Sequence, residues 1–378
     1  MMEELLAMVK EVFENIKEVR ILDFGNVSYL DSQAIYHTVA HSFDENTPDT
    51  ITIMNPIQTY ACIGFFQELE KEIDIEFCKN NNIPVIKREI GGGAVLLDNN
   101  QIFFHFIFNK LKVTRDVNRI YSIFLEPVVN TFIKLGLNVR HRPINDLHID
   151  GKKIGGTGAA EIGNSTVVVG SFMLDFNYEL MPQILKVPSE KFRDNVYQNV
   201  KDYVTTIKKE FGIIGQDVPS REKIIKTFLD EVSNYFNVKL FSKNSLDDYE
   251  KEKLPEIRKL LLDENWLKRK GKFPGRKVKI TTDVNIFEGN YKSAGGLIRI
   301  TATLLGNKLK EIDISGDFTM APPEGLSQIE NILAGLEVDY GNMHTKINEI
   351  YNKYKIQSPG VSPEDFVEAL KITLNAGR

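Results

Sequence analysis

Two glycine-rich segments carry residue types suited to chemistry on anions. The first is Arg88-Glu89-Ile90-Gly91-Gly92-Gly93-Ala94-Val95. Three adjacent glycines lack Cβ atoms, which uncovers backbone N–H groups and opens positive φ. A concave backbone of that kind cradles an anion. Arg88 adds a planar, permanently charged fork for a phosphate or carboxylate. A tight turn beside a surface arginine satisfies the same letters. The spacing is neither G-x-G-x-x-G nor G-x-x-x-x-G-K-[ST], so Rossmann and P-loop chemistry are poor readings.

The second segment is Asn145-Asp146-Leu147-His148-Ile149-Asp150-Gly151-Lys152-Lys153-Ile154-Gly155-Gly156-Thr157-Gly158. Asp-Gly between two short strands is a strong two-residue hairpin signal. It predicts Ile149 opposite Lys152, His148 opposite Lys153 and Leu147 opposite Ile154. Period-two alternation then puts Leu147, Ile149, Lys152 and Ile154 on one face, and Asp146, His148 and Lys153 on the other. Lys153 joins the polar set, diagonal to Asp146, whereas Lys152 sits at the turn and snorkels into water. A one-residue slip would exchange the two lysines. The glycines after Lys153 let a ligand approach the backbone closely. An ordinary solvated hairpin is the other reading.

These segments need a scaffold, and the patterning predicts one. Strands are expected over 51–54, 59–63 and 84–88, and a hairpin over 94–97 and 102–108. A hairpin over 146–155 and a buried strand over 166–174 follow. Helices are expected over 69–78 and 119–135, and through most of 182–268. The run IFFHFIF suits a strand covered on both faces. A meander over 278–286, 296–305 and 308–314 precedes helices over 326–336, 342–354 and one starting at Ser362-Pro363-Glu364-Asp365. Short strands with segregated helices argue for α+β. Residues 1–18 read as an amphipathic helix, 19–268 as the main domain and 269–378 as a second, with a polar linker near 267–275.

Composition bounds the function. A length of 378 residues suits about two domains. With 47 basic and 52 acidic side chains, net −5, no cationic surplus exists to neutralise a nucleic acid. No run of 18 apolar residues predicts a membrane span, and the N-terminus lacks the apolar core of a signal peptide. The expectation is a cytoplasmic protein with neither nucleic-acid nor membrane partners. The two cysteines, Cys62 and Cys78, build neither a disulfide framework nor a four-cysteine zinc site. His37 and His41 stand four apart, but without the Glu of H-E-x-x-H.

Together the motifs resemble the lipoate–protein ligases. Arg88–Val95 is similar to their R-x-x-G-G-G-A-V signature, and Asn145–Gly156 to their N-D-hairpin-G-K-K-I-x-G signature. Residues 19–40, 63–67 (IGFFQ), 294–300 (AGGLIRI) and 314–318 (ISGDF) resemble further family segments in the same order. The resemblance implies an α+β fold: a mixed-sheet catalytic domain of the biotin/lipoate–protein ligase type, class II aminoacyl-tRNA synthetase-like, plus a small α+β C-terminal accessory domain. It implies condensation of lipoate with ATP to lipoyl-AMP, with Mg²⁺, and transfer of lipoyl to a lysine of a carrier. The implied carriers are lipoyl domains of 2-oxoacid dehydrogenase acyltransferase subunits or the glycine-cleavage H protein.

By motif position, Lys153 is the implied catalytic lysine. Arg88, Gly91, Gly92, Gly93, Ala94, Val95, Leu96, Asn145, Asp146, Gly155, Gly156 and Thr157 are the implied ATP and adenylate contacts. Lys153, Gly92 and His148 are the implied lipoate contacts, and Asp146 the implied metal ligand. The sequence departs from the family at Lys87, Leu97-Asp98, Thr157-Gly158 and Val169-Gly170, which bears on acyl-chain preference more than on adenylation. An octanoyl or lipoyl transferase of the same fold is the nearest rival. Such relatives use a cysteine after the hairpin, and 161–174 contains none. A non-catalytic acyl- or carrier-binding protein is the other alternative.

Overall fold

The computed structural model describes Val9, Phe13, residues 16–268 and residues 284–375. Most of the expected N-terminal helix and the linker at 269–275 lie outside the described residues. Val9 and Phe13 are helical and buried. The chain packs as two units that are not contiguous in sequence. The first comprises residues up to Cys62, Ile73–Arg88 and Val95–Asp263. The second comprises Ile63–Glu72, Glu89–Ala94 and residues from Glu264 onward.

The first unit is built on an eight-stranded mixed sheet. Its strands are β1 (Glu18–Val27), β2 (Thr50–Pro56), β6 (Gln101–Asn109), β7 (Arg140–Arg142), β8 (Asp146–Ile149), β9 (Lys152–Ile162), β10 (Ser165–Met173) and β11 (Lys239–Ser242). The order is β11-β1-β2-β6-β10-β9-β8-β7. β1 runs parallel to β2 and β11, whereas β6 pairs antiparallel with β2 and β10. A small sheet of β3 (Tyr60–Ile63), β4 (Val85–Lys87) and β5 (Val95–Leu97) has β3 in the middle.

β6 is buried along its length apart from Asn109, as its apolar run requires. Phe104, Phe106 and Phe108 pack tilted or edge-to-face against Phe124, Phe172, Phe228 and Phe236 to form an aromatic core. Helix Val117–Lys134 starts where the Asp116 carboxylate accepts from the amides of Asn118 and Arg119.

Three local expectations are corrected. The predicted hairpin over 94–97 and 102–108 does not form, because β5 pairs with β3 in the small sheet while β6 joins the large one. The Asp98 carboxylate accepts from the Asn100 amide at 2.9 Å and turns the chain between sheets. The single helix over 69–78 is two, Leu69–Glu72 and Ile75–Asn80. Ile73 instead bridges to Leu185, and Asp74 caps the second helix by accepting from the Phe77 amide. The strand β11 lies in a region read as helical; Asn237 in the left-handed conformation ends the preceding helix and frees the next residues for the sheet edge.

Arg20 of β1 and Glu250 of helix Asp248–Leu262 form a buried bidentate pair, 4% and 1% exposed. Glu250 also accepts from the Asp247 amide at 2.9 Å, closing a capping box. Removing one partner strands a buried charge, at a cost of roughly 3–5 kcal/mol. Glu250→Ala is therefore expected to lower the urea midpoint strongly, and Arg20→Leu with Glu250→Leu to cost less than either single change. An unchanged midpoint in Glu250→Ala would show that the pair contributes nothing.

The second unit centres on the meander β12 (Val284–Ser293), β13 (Gly296–Leu305) and β14 (Lys308–Gly316). Ile298, Ile300 and Ala302 alternate inward on β13 and pack with Phe318, Ile329, Met343 and Phe366. The last helix, Pro363–Asn375, opens as predicted: the Ser362 amide donates to the Asp365 carboxylate, and the Asp365 amide to the Ser362 hydroxyl. The architecture is α+β, a mixed-sheet domain with a smaller α+β domain. Among the described residues, no helix is long and apolar enough to cross a membrane.

Candidate active site

The hairpin β8–β9 carries the polar face expected of it, with one change of register. Ile149 pairs with Lys152 and His148 with Lys153. A β-bulge then intervenes, so Leu147 faces Gly155 rather than Ile154, and Asp146 faces Gly156. A bulge adds one unpaired residue and re-aims its neighbours. Leu147, Ile149 and Ile154 remain buried together. On the other face, Lys153 Nζ lies 2.7 Å from Asp146 Oδ1.

Gly156 leaves room for that reach, because a Cβ there would crowd Lys153 Cε and Nζ at 3.1 Å. The pair is 33% and 26% exposed. A solvated ion pair contributes at most about 1 kcal/mol. Asp146 thus orients the ammonium without committing it, and a stronger anion can take it over. The strand itself is anchored by the Thr205 amide, which donates to the Lys153 carbonyl at 2.9 Å.

His148 lies beside this pair. Its Nε2 is 3.7 Å from Asp146 Oδ2 and 3.3 Å from the Tyr203 hydroxyl. Arg142 on β7 donates to the same hydroxyl at 2.9 Å. Tyr203 ends helix Glu190–Tyr203; it was not a candidate from the sequence, where an exposed helical tyrosine carries no signal. Asn145 and Thr157 clamp the base of the hairpin: the Asn145 amide donates to the Thr157 carbonyl, and the Thr157 hydroxyl donates to the Asn145 carbonyl at 2.7 Å. Behind the hairpin, Gly170 takes the place of a side chain that would lie 2.4 Å from Phe104 Cζ.

The phosphate-side candidates divide between the units. Arg88, Val95 and Leu96 belong to the first; Gly91, Gly92, Gly93 and Ala94 belong to the second. Arg88 is buried, with Nη1 donating to the Cys62 carbonyl at 3.2 Å and lying 3.7 Å from its thiol. Gly92 adopts φ +90°, the left-handed region glycine tolerates, and its amide donates to the Phe318 carbonyl at 3.1 Å.

Burial pushes the Cys62 thiol up, and the nearby Arg88 only partly opposes this. Burial also raises Cys78, to about 11. Neither is a thiolate at neutral pH, so neither offers a ready nucleophile. His37 is buried with Nδ1 on the Gln33 carbonyl at 2.7 Å, a helix-core role. Among the described residues no group of three or more His, Cys, Asp or Glu side chains could hold a metal. Asp146 is a single carboxylate, which suits a Mg²⁺ ligated mainly by polyphosphate oxygens.

Comparison with known proteins identifies the relatives. The family described as "Lipoyl protein ligase A/B catalytic domain" matches residues 28–233, and "Bacterial lipoate protein ligase C-terminus" matches residues 286–370. Lipoate-protein ligase A subunit 1 of Thermoplasma acidophilum is 29% identical over 155 residues, 38% of this chain and 58% of that one. The lipoate–protein ligase of Streptococcus pyogenes is 34% identical over 152 residues, 40% of this chain and 43% of that one. The match thus spans about half the length of these two relatives. Octanoyltransferase LipM of Oceanobacillus iheyensis is also similar, 24% identical over 51% of this chain and 76% of that one. A bi-partite lipoate protein ligase from T. acidophilum, from a structural analysis of that ligase and its E2 lipoyl domain, shares the fold with a TM-score of 0.61 and 23% identity, covering 69% of this chain and 100% of that one. Lipoate-protein ligase A bound with ATP gives 0.56 and 20%, covering 66% and 98%.

Proposed function

The chain belongs to the lipoyl protein ligase A/B catalytic-domain family, and from that premise we propose that it is an ATP-dependent lipoate–protein ligase. The observation that carries this reading is Lys153: a partly exposed ammonium, aimed by Asp146 through the room that Gly156 leaves beside it. Adenylation brings a carboxylate against an α-phosphate, so two anions must approach. A fixed ammonium neutralises both and stabilises charge on the phosphorus oxygens. The carboxylate oxygen forms the new bond to phosphorus as the bond to pyrophosphate breaks. A carrier lysine then attacks the acyl carbon, AMP leaves, and the amine releases a proton.

In this reading Arg88 and the turn Gly91–Gly93, with Ala94, Val95 and Leu96, hold the nucleotide; Asn145, Asp146 and Thr157 face the adenylate; His148 and Gly92 border the lipoyl group. Asp146 would be the one protein carboxylate on a bound Mg²⁺, which would screen charge on the pyrophosphate. Residues 19–268 are the catalytic part and 269–378 the accessory part. The proposed acceptors are lipoyl domains or an H protein, in the cytoplasm. ATP use is supported by the likeness to a fold relative solved with ATP, and a carrier acceptor by the likeness to one whose own partner is an E2 lipoyl domain.

Arg88→Ala is expected to raise KM for ATP about tenfold to a hundredfold with a smaller effect on lipoate, the loss of a charge-assisted bond worth roughly 1.5–3 kcal/mol. Unchanged ATP kinetics in a folded variant would remove Arg88 from the nucleotide site. The rival transferase reading rests on the similarity to LipM. Mass spectrometry of an apo lipoyl domain separates the two. Mass gain with lipoate and ATP supports the ligase; gain only from an octanoyl thioester donor without ATP contradicts it.

A further inference from the structure

The turn Glu89–Ala94 is packed into the unit formed by the C-terminal domain. Its Gly92 is gripped from two sides. The amide donates to the Phe318 carbonyl at 3.1 Å, and a Cβ on Gly64 would lie 2.0 Å from the Gly92 carbonyl oxygen. A Cβ on Gly91 would lie 2.7 Å from the Phe318 carbonyl oxygen. Backbone therefore meets backbone on both sides.

The Gly64 side of this grip belongs to the segment Ile63–Glu72. The Gly64 amide donates to Gln67 Oε1 at 2.9 Å, and the Phe65 amide to the Ile90 carbonyl at 3.0 Å. The segment is in turn fastened to the meander. The Gly316 amide donates to the Phe66 carbonyl at 3.0 Å, and the Phe66 ring stacks on Phe318 at 5.0 Å. The Ser315 hydroxyl donates to Glu68 at 2.7 Å. At the far end Arg299 on β13 forks onto both carboxylate oxygens of Glu72, the pair being 18% and 10% exposed.

We propose that Arg299, through Glu72, is a positioning residue for nucleotide binding: it fixes the segment that backs Gly92 and so sets the geometry of the phosphate-side glycine turn. This rests on the ATP-dependent reading above. A planar guanidinium fork specifies orientation as well as charge, and here it ties helix Leu69–Glu72 to a strand whose opposite face is locked in the core by Ile298 and Ile300. A slack anchor lets the segment move away from the Gly92 carbonyl that Gly64 backs, so the turn loses the fixed conformation that the nucleotide reading requires. The chemistry at Lys153 does not involve Arg299, so the defect belongs to nucleotide affinity.

The test is ATP affinity by titration calorimetry, alongside KM and kcat for adenylate formation, in the full chain. Arg299→Met is expected to weaken ATP binding and raise KM for ATP about tenfold, with kcat at saturating ATP within about twofold of the parent. Arg299→Lys should fall between the two, because it keeps the charge but loses the fork. The exchanged pair, Glu72→Arg with Arg299→Glu, should recover most of the affinity, which separates positioning from general loss of fold. ATP affinity in Arg299→Met within twofold of the parent overturns the proposal. So does a parallel fall in kcat and melting temperature that the exchanged pair fails to restore. A parent chain that binds ATP in an Arg299-dependent way but forms no lipoyl-adenylate leaves this proposal standing and sinks the ligase reading. A parent that binds no ATP sinks both.

Discussion

Lys153→Ala is expected to lower lipoyl-adenylate formation roughly a thousandfold, at the upper end of what loss of one preorganised charge-stabilising group costs. Lys152→Ala should stay within about threefold of the parent. The contrast follows from the hairpin register: His148 faces Lys153 across the β8–β9 pair, and Lys153 meets Asp146 at 2.7 Å, while Lys152 is exposed at the turn. The measurement is adenylate yield by single-turnover quench, with circular dichroism to establish folding. A dead Lys152→Ala beside a near-normal Lys153→Ala would overturn both the face assignment and the role. Asp146→Asn should give an intermediate loss, because it removes the group that aims the ammonium but leaves the charge.

Truncation after Lys268 is the second large effect. It removes Arg299, Ser315 and Phe318, which hold Glu72, Glu68 and the Gly92 amide within the second unit. Phe66, 8% exposed and stacked on Phe318, would lose its cover. Exposing a buried Phe costs about 1.5–3 kcal/mol of transfer free energy, and the glycine turn would lose its grip at the same time. The fragment 1–268 is expected to make no lipoyl-adenylate from ATP and to melt at a lower temperature. Transfer from supplied lipoyl-adenylate should persist at reduced rate, because Lys153 and Asp146 sit in the other unit. Full ATP-dependent lipoylation by this fragment would show that the C-terminal residues do not support the turn.

Much of this architecture is legible in local sequence. The Asp150-Gly151 turn and strict alternation place Lys153 on the polar face beside Asp146, and Ser362 with Asp365 marks a helix start that the structure reproduces. What local pattern misses is decided at longer range. No periodicity reports that Ile154 bulges, since the signal lies in Gly155 fitting beneath Leu147 and Gly156 leaving room for Lys153. The adjacency of 94–97 and 102–108 suggests a hairpin, but β5 finds its partner in β3, more than thirty residues earlier. Tyr203 and Arg142 approach His148 only through tertiary packing. The capture of Ile63–Glu72 and Glu89–Ala94 by the C-terminal unit is likewise invisible to local pattern, because the Phe66–Phe318 stack, the Ser315–Glu68 hydrogen bond and the Arg299–Glu72 ion pair join residues far apart in sequence.

Lys153 is proposed to promote ATP-dependent activation of a free carboxylate. ATP–pyrophosphate exchange by the full chain, with lipoate as the only carboxylate present, tests it most directly. The expected result is exchange that requires lipoate and disappears in Lys153→Ala. No lipoate-dependent exchange, together with ATP-independent octanoyl transfer to a lipoyl domain by the same preparation, would contradict it.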